Sequence, residues 1–331
     1  MSTFDNNPYK KMKNFIKSAF YHLCKAVVFL LVGLSVIYAQ ERGGYAGSFL
    51  RLGLGARSAG MGGAYVGIPG SVYSAYYNPA GLPELRSQEA AFSYRRLSLD
   101  RQFYFAGIAF PIPPAAGAAF GWIHAGTDNI DGRDFNGIHT QMYSDNQNAF
   151  LFAFGIPVYR LINIGISGTI VRESLVGITA KGFGFNAGIL IKPLKNLTAG
   201  ASVRDIGADY SWSTESLYEH GSTQSDAFPA VYSAGTQYLI ERYNTSAVLD
   251  VVKNTKGAVD YRFGCENSSL NPLVIRAGIN KKNFSAGFAV TFPAFNGEGT
   301  FEYAFLSDDI SPESIHIFSF TFAFTPLTQK K

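Results

Sequence analysis

The chain has 331 residues and a formal net charge of +4, from 28 lysines and arginines against 24 aspartates and glutamates. Five of those lysines and one of the aspartates lie in residues 1–39, which leaves 23 basic and 23 acidic residues in the rest. Because the excess positive charge is confined to this first segment, the remainder carries no electrostatic signal for nucleic-acid binding.

Residues 1–39 have the parts of a secretory signal peptide. Five lysines precede an apolar run over 26–38, and Ala39 before Gln40 offers a cleavage site. The alternative, a membrane-spanning helix, needs about 20 apolar residues, and this run is shorter. Both Met1 and Met12 are candidate starts. Cleavage would remove Cys24 and leave Cys265 alone, so neither a disulfide nor a thiolate metal site is expected.

The next stretch, 47–82, is rich in glycine and small apolar residues. Glycine costs about 1 kcal/mol in a helix interior and is similarly unfavourable in a strand, so a long regular element is not expected here. The run Gly53-Leu54-Gly55 invites comparison with a phosphate-binding loop, but the flanking strand, helix and Gly-Lys-Ser/Thr are missing. We therefore predict a compact plug over residues 40–87, packed inside the rest of the chain.

From residue 88 onward, segments of about ten residues alternate large apolar residues with small or polar ones, as transmembrane β-strands do. In the last segment, for example, Phe318, Phe320 and Phe322 share one face, and Ser319 and Thr321 the other. Fourteen strands are predicted, at 88–96, 102–110, 115–125, 147–156, 162–174, 179–191, 196–205, 228–240, 244–253, 258–266, 272–281, 283–292, 297–306 and 315–325.

The composition favours a membrane barrel over a soluble β-sandwich. Charged residues make up 16% of the chain, against about 25% in soluble domains. The chain has 28 Phe and 19 Tyr but only 2 Trp, and large aromatic residues suit a lipid-facing wall with aromatic girdles. The predicted fold is all-β, a transmembrane antiparallel barrel with an N-terminal glycine-rich plug in its lumen. The predicted boundaries are 1–39 for the signal peptide, 40–87 for the plug, 88–325 for the barrel and 326–331 for a short periplasmic tail.

The connections predict the orientation of the barrel. The three longest loops, 126–146, 206–227 and 307–314, all follow odd-numbered strands, whereas prolines mark short turns after even-numbered ones. Barrels of this class place long loops outside and short turns in the periplasm, where both ends of the barrel chain are expected. Loops 126–146 and 206–227 are polar. Contact with a partner or ligand and simple hydration are both compatible with that composition.

No catalytic, cofactor-binding or metal-binding residue is predicted. The four histidines after residue 39 occur outside any hydrolase or metalloprotease motif. Asp128, Asp131 and Asp134 recur every third residue, but a calcium loop needs ligands at alternate positions and a closing glutamate. A hydrated loop is the expected structure there.

The stretch FLRLGLGARSAGMGGAYVG, the following SAYYNPAGL and the last two predicted strands resemble the PorV/PorQ-type outer-membrane proteins. These belong to the long-chain fatty-acid-transporter-like (FadL-like) barrels. The resemblance implies that the N-terminal segment is a hatch blocking the lumen, with a role for Gly60, Gly62, Gly63, Asn78, Pro79, Ala80 and Gly81. It implies a component of type IX protein secretion or surface-protein handling, with secretion components or exported proteins as partners. The alternative is a hatch-gated transporter of hydrophobic, fatty-acid-like molecules across the outer membrane.

Overall fold

The computed structural model describes residues 45–98, 100–214, 220–281, 283–307 and 314–324. The predicted signal peptide and periplasmic tail lie outside these residues, so their boundaries stay predictions. No helix in the described part of the chain is long and apolar enough to cross a membrane.

The described residues form sixteen strands after a short helical segment. Two single-turn α-helices, α1 (Ala56–Gly60) and α2 (Ser74–Tyr77), and the 3-10 helices Ser48–Arg51 and Pro79–Glu84 precede the strands. The strands are β1 (Glu89–Arg96), β2 (Arg101–Ile112), β3 (Ala116–Arg133), β4 (His139–Tyr159), β5 (Ile162–Leu175), β6 (Ile178–Leu194), β7 (Leu197–Ile206), β8 (Asp209–Ser213), β9 (Thr223–Ala227), β10 (Val231–Ile240), β11 (Thr245–Asn254), β12 (Val259–Leu270), β13 (Leu273–Asn280), β14 (Asn283–Ala294), β15 (Gly297–Leu306) and β16 (Ile315–Phe324).

Fourteen of these strands close into one antiparallel barrel. Each strand pairs with its neighbours in the chain, β7 pairs with β10, and β1 closes the ring against β16 with Glu89 opposite Ala323. The remaining two, β8 and β9, form a hairpin that pairs with the start of β6, at Ala180 and Lys181. The predicted fourteen-strand barrel is confirmed.

The two faces of the wall differ as the alternation predicts. In β16, Phe318 is 41% exposed on the outside, whereas Ser319 is 2% exposed on the inside. The same alternation places phenylalanines on the outer face of β4 and β14. Because water is absent from the bilayer core, a closed barrel with an apolar outer belt is one of the few structures able to span it. The chain is a transmembrane β-barrel.

The predicted loop at 126–146 is wrong in extent. β3 continues to Arg133 and β4 begins at His139, so only residues 134–138 connect them. Antiparallel pairing, for example of Ile130 with Tyr143, provides hydrogen-bond partners for the backbone, and Asp134 accepts hydrogen bonds from two backbone amides in the turn. Polar composition indicated a loop because a hairpin standing above the membrane needs no apolar face. The predicted loop 206–227 likewise contains β8 and β9.

The described chain enters at the rim that carries the long connections. We call this the loop rim, the end of the barrel at which β1, β3, β5, β7, β11, β13 and β15 end, and call the opposite end the turn rim. The Tyr45 hydroxyl donates to the backbone oxygen of Lys256 at the loop rim, over 2.8 Å. Both ends of the barrel chain lie at the turn rim, as expected, because Glu89 at the start of β1 pairs with Ala323 near the end of β16. The described part of the segment that precedes β1 begins at the loop rim instead. That segment runs from one rim to the other.

Candidate functional site

Residues 45–87, hereafter the plug, lie within the ring of strands. Three hydrogen bonds illustrate this: Ala56 N to Ser319 Oγ at 2.8 Å, Gly62 N to Ser285 Oγ at 2.9 Å, and Ser202 Oγ to Tyr77 O at 2.8 Å. Their wall residues lie on β16 and β14, which are separated by one strand, and on β7, which lies on the far side of the ring. Buried backbone groups need partners, and an irregular segment cannot supply all of them itself. The small hydroxyl side chains of the lumen wall supply part of that need.

Lumen-facing glycines allow the plug backbone to touch the wall. A Cβ added at Gly278 would lie 2.1 Å from the Gly62 nitrogen, and one at Gly165 would lie 2.3 Å from the Pro79 carbonyl carbon. Both distances are too short for any real side chain, and the atoms concerned belong to backbone. The same holds at Gly117 against Leu82. The small lumen face seen in the sequence is thus the surface on which the plug packs.

The seven residues singled out by resemblance occupy two separate places. Gly60, Gly62 and Gly63 end α1 beside β12–β14, where the positive φ of Gly62 lets its backbone approach Ile279. Residues 78–81 lie against β4–β7 instead, and begin the 3-10 helix Pro79–Glu84. The structure does not bring these two groups together. Their role in gating stays a prediction.

Asn78 joins three elements at the second of these places. Its Nδ2 donates to the backbone oxygens of Val66 in the plug and Ile189 in β6, both at 3.1 Å. Its Oδ1 accepts from Ala80 N at 3.2 Å and so caps the following turn. The side chain is buried, and a Cβ at Gly188 would collide with it. One amide therefore ties the plug to itself and to the wall.

We expect Asn78→Asp to destabilise the barrel more than Asn78→Ala does. Alanine removes three hydrogen bonds, at about 1 kcal/mol each. Aspartate has nearly the same shape, but it would place a carboxylate against two backbone oxygens that need a donor. The measurement is the urea midpoint of unfolding in detergent for both variants. An aspartate variant at least as stable as the alanine variant would contradict the described geometry.

A buried ionic network joins α1 to the neighbouring wall strands. Arg57 of the plug contacts Glu266 of β12 through Nη2 and Oε1 at 2.7 Å, and through Nε and Oε2 at 2.9 Å. Glu266 also accepts from Arg276 Nε of β13 at 2.7 Å, and Arg276 Nη2 contacts Glu302 of β15 at 2.9 Å. Two cations and two anions thus alternate around the barrel and balance in charge. This network was not predicted from the sequence, although the alternation does place its wall members on the lumen face.

A second anchor is the carboxylate of Asp250, which is 0% exposed. Its Oδ2 accepts from the backbone nitrogens of Tyr65 at 2.6 Å and Val66 at 2.9 Å. Arg262 reaches the plug from β12, donating to Gly63 O at 3.2 Å while Asp260 holds its Nε at 2.8 Å. Charged groups of the wall therefore bind plug backbone as well as plug side chains.

Besides these polar contacts, the plug has an apolar, aromatic part formed around Tyr65, Tyr73 and Tyr77. Tyr65 packs on Tyr73 and Tyr77, and Tyr73 packs on Phe105 of the wall at a ring distance of 5.3 Å. The Tyr77 hydroxyl accepts from Leu54 N at 2.7 Å and donates to Leu54 O at 3.0 Å.

Cavities lie on both sides of the plug. The one facing the loop rim has a volume of about 100 Å³ and is lined by plug residues and by β1 and β12–β15. The one at the turn rim has a volume of about 440 Å³ and lies between Pro83, Glu84 and β4–β5. Asn163 and Lys192 bind the Glu84 carboxylate there. Between these cavities, Pro79 and Leu82 rest directly on wall glycines.

The hairpin above the membrane carries its own charged group. Asp131 accepts from Arg133 Nε at 2.9 Å and contacts His139 Nδ1 at 2.5 Å. Hydrogen bonds from His139 and Arg133 lower the pKa of Asp131. Among the described residues, no group of three His, Cys, Asp or Glu side chains is placed to hold a metal ion.

Fold and lumen together define a transmembrane barrel closed by an internal plug. No protein-family model and no curated protein matches the chain. Solved structures do match. The CymD monoaromatic hydrocarbon channel has a TM-score of 0.59 at 13% identity, covering 83% of this chain and 98% of that one. The Pseudomonas putida toluene transporter TodX also gives 0.59 at 13%, covering 82% and 96%. A Pseudomonas aeruginosa FadL homologue gives 0.54 at 10%, covering 81% and 98%. At these identities the likeness shows a shared, FadL-like fold.

Proposed function

We propose that this chain is a bacterial outer-membrane barrel that admits hydrophobic small molecules, with the plug as its hatch. The observation that carries the proposal is a lumen filled by a separate segment, with a cavity on either side of it. A general porin needs an open aqueous channel, and a filled lumen does not suit that role. The similar solved structures are named as hydrocarbon channels and a toluene transporter rather than as enzymes, which supports passage of an apolar cargo.

The contacts of the plug suggest how a cargo would pass. Pro79 and Leu82 lie on wall glycines of β3–β5, so a molecule cannot pass between the plug and this part of the wall without moving the plug. The plug is held by separate polar contacts, such as those of Arg57 and Asn78, rather than by continuous sheet pairing. Such contacts can break one at a time, which suits a segment that must shift and return.

A reversible disulfide between plug and wall tests this proposal. Ala56 N lies 2.8 Å from Ser319 Oγ, so cysteines at both positions, in a Cys265→Ser background, are close enough to be joined. We expect oxidation to reduce uptake of radiolabelled toluene to the level of cells without the barrel, and dithiothreitol to restore it. The host should be a Gram-negative strain lacking its own channels for toluene. The single-cysteine variants are the controls. Full uptake through the oxidised barrel would overturn the hatch.

A second candidate is the PorV/PorQ-like role in type IX secretion that the sequence resemblance implies. One observation favours a partner at the loop rim: Phe135 is 103% exposed at the tip of the β3–β4 hairpin, and Ile138 and Met142 beside it are also exposed. Such a patch on a loop commonly marks a protein contact. Co-purification of large exported proteins with the wild-type barrel, lost on Phe135→Ser, would favour this role over transport.

A further inference from the structure

The apolar outer belt of the wall ends at the same row on three neighbouring strands. Its run of apolar outward residues covers 162–170 in β5 and 183–191 in β6, and a tilted strand needs about nine to eleven residues to cross the hydrocarbon core. The last of these residues toward the loop rim are Ile170 and Phe183, which pair with each other, and Phe150 of β4 pairs with Ile170. The next outward row therefore lies where lipid tails give way to headgroups.

That next row carries two positive charges. Arg172 of β5 pairs directly with Lys181 of β6. The neighbours in the row are uncharged, because Asn148 of β4 lies opposite Arg172 and Ser211 of β8 lies opposite Lys181. Both cationic side chains are exposed on the outer face, whereas Val171 beside Arg172 is 1% exposed on the lumen face.

Neither cation has a partner of its own. Among the described residues, Arg172 and Lys181 form no side-chain hydrogen bond and no ion pair. Glu173 follows Arg172 in the chain but lines a cavity on the lumen side, and Asp209 of β8 accepts a hydrogen bond from Ser225 at 2.7 Å. Like charges directly opposite each other on two strands destabilise a sheet, and a medium less polar than water strengthens their repulsion. An anion on the membrane side would relieve it.

We propose that Arg172 and Lys181 together bind the phosphate group of a membrane lipid in the leaflet at the loop rim. A phosphate between them replaces one repulsion with two attractions, and both side chains offer N–H donors to its oxygens. The tails of the same lipid lie on Ile170 and Phe183, which are 46% and 44% exposed. This apolar surface directly beside the charges favours a lipid over a free phosphate ion. The inference concerns the outside of the wall, so it goes beyond the passage of a cargo and does not depend on it.

The test compares dioleoyl phosphatidic acid with dioleoylglycerol, which have the same tails and differ in the phosphate. Native mass spectrometry of the purified barrel in a nonionic detergent measures the affinity for each lipid. We expect phosphatidic acid to bind at least about 10-fold more tightly, because one hydrogen bond between charged groups contributes about that factor. The double variant Arg172→Gln/Lys181→Gln should bring the two affinities within about threefold of each other.

A second double variant, Arg133→Gln/Lys195→Gln, is the matched control. It causes the same change in net charge, but both residues lie outside the row and have carboxylate partners, Asp131 for Arg133 and Glu241 for Lys195. It should leave the preference for phosphatidic acid unchanged. Equal binding of the two lipids by the wild-type barrel, or an equal loss of preference in both double variants, would overturn the inference.

Inorganic phosphate, added as a competitor, distinguishes a lipid headgroup from a free ion. We expect it to displace phosphatidic acid only at concentrations far above that of the lipid, because the ion lacks the contribution of the tails. Inorganic phosphate that binds as tightly as phosphatidic acid, and through the same two side chains, would show an ion site and exclude the lipid.

Arg172→Glu gives a signature that a general loss of positive charge does not. The glutamate would form an opposite-charge pair with Lys181, so the urea midpoint of unfolding in lipid-free detergent should rise above that of the wild type. Phosphatidic acid should raise the midpoint of the wild type, as any ligand of the folded state does, but not that of the variant. A wild-type midpoint that does not respond to phosphatidic acid, or a variant that responds equally, would contradict the shared phosphate.

Discussion

Replacing Gly165 by alanine is expected to push the plug away from the barrel wall. The new methyl group would lie 2.3 Å from the carbonyl carbon of Pro79 and 2.4 Å from the nitrogen of Ala80, and both atoms are backbone. Backbone held by Asn78 on one side and by the following 3-10 helix on the other cannot yield as a side chain does. We expect a loss of about 1–3 kcal/mol in the free energy of unfolding, in the range found for overpacked cores.

The same substitution should raise permeability, because the plug contributes to closure only where it touches the wall. Single barrels of Gly165→Ala in planar bilayers are expected to open more often than wild type. Gly168→Ala is the matched control on the same strand. Its methyl group would point outward and lie 3.3 Å from the far end of the Phe183 ring, which can turn aside. If both variants behave alike, contact between plug and wall does not close the lumen.

The strand count and the plug could be predicted because each depends on a local pattern. Alternation of large and small residues, as in Phe318 and Ser319, defines both the strand and its two faces. Runs of glycine such as Gly62-Gly63 exclude long regular elements whatever surrounds them. Neither prediction depends on which strands pair with each other in the barrel.

The ionic network and the β3–β4 hairpin could not be predicted, because the first depends on strand register and the second is formed by polar strands. The alternation places Glu266 and Glu302 on the lumen face, but only the observed registers bring Arg276 between them. The β3–β4 hairpin was missed for a different reason. Residues 128–133 and 139–145 belong to strands that stand in water, where apolar alternation is not required, so Asp131 opposite Met142 gives no strand signal. The contacts of Asn78 were missed because the resemblance identifies a turn and not its partners.

The buried ionic network gives the second large effect, and its sign should depend on the background. Glu266→Gln leaves Arg276 with Glu302 and leaves the guanidinium of Arg57 without its carboxylate partner. Breaking a buried pair by removing one partner costs about 3–5 kcal/mol, because a charge is left uncompensated. Arg57→Met in the wild-type barrel should cost less, since Glu266 keeps its bond to Arg276. In the Glu266→Gln background, however, Arg57→Met removes the stranded charge and should stabilise the barrel.

Urea midpoints of the four proteins measure this cycle, and trypsin cleavage after Arg57 reports how far the plug has loosened. An Arg57→Met effect of the same sign and size in both backgrounds would mean that the ion pair does not hold the plug. A change of sign would show that Glu266 ties the plug to the wall, and would make this carboxylate one of the contacts that must break before the plug moves.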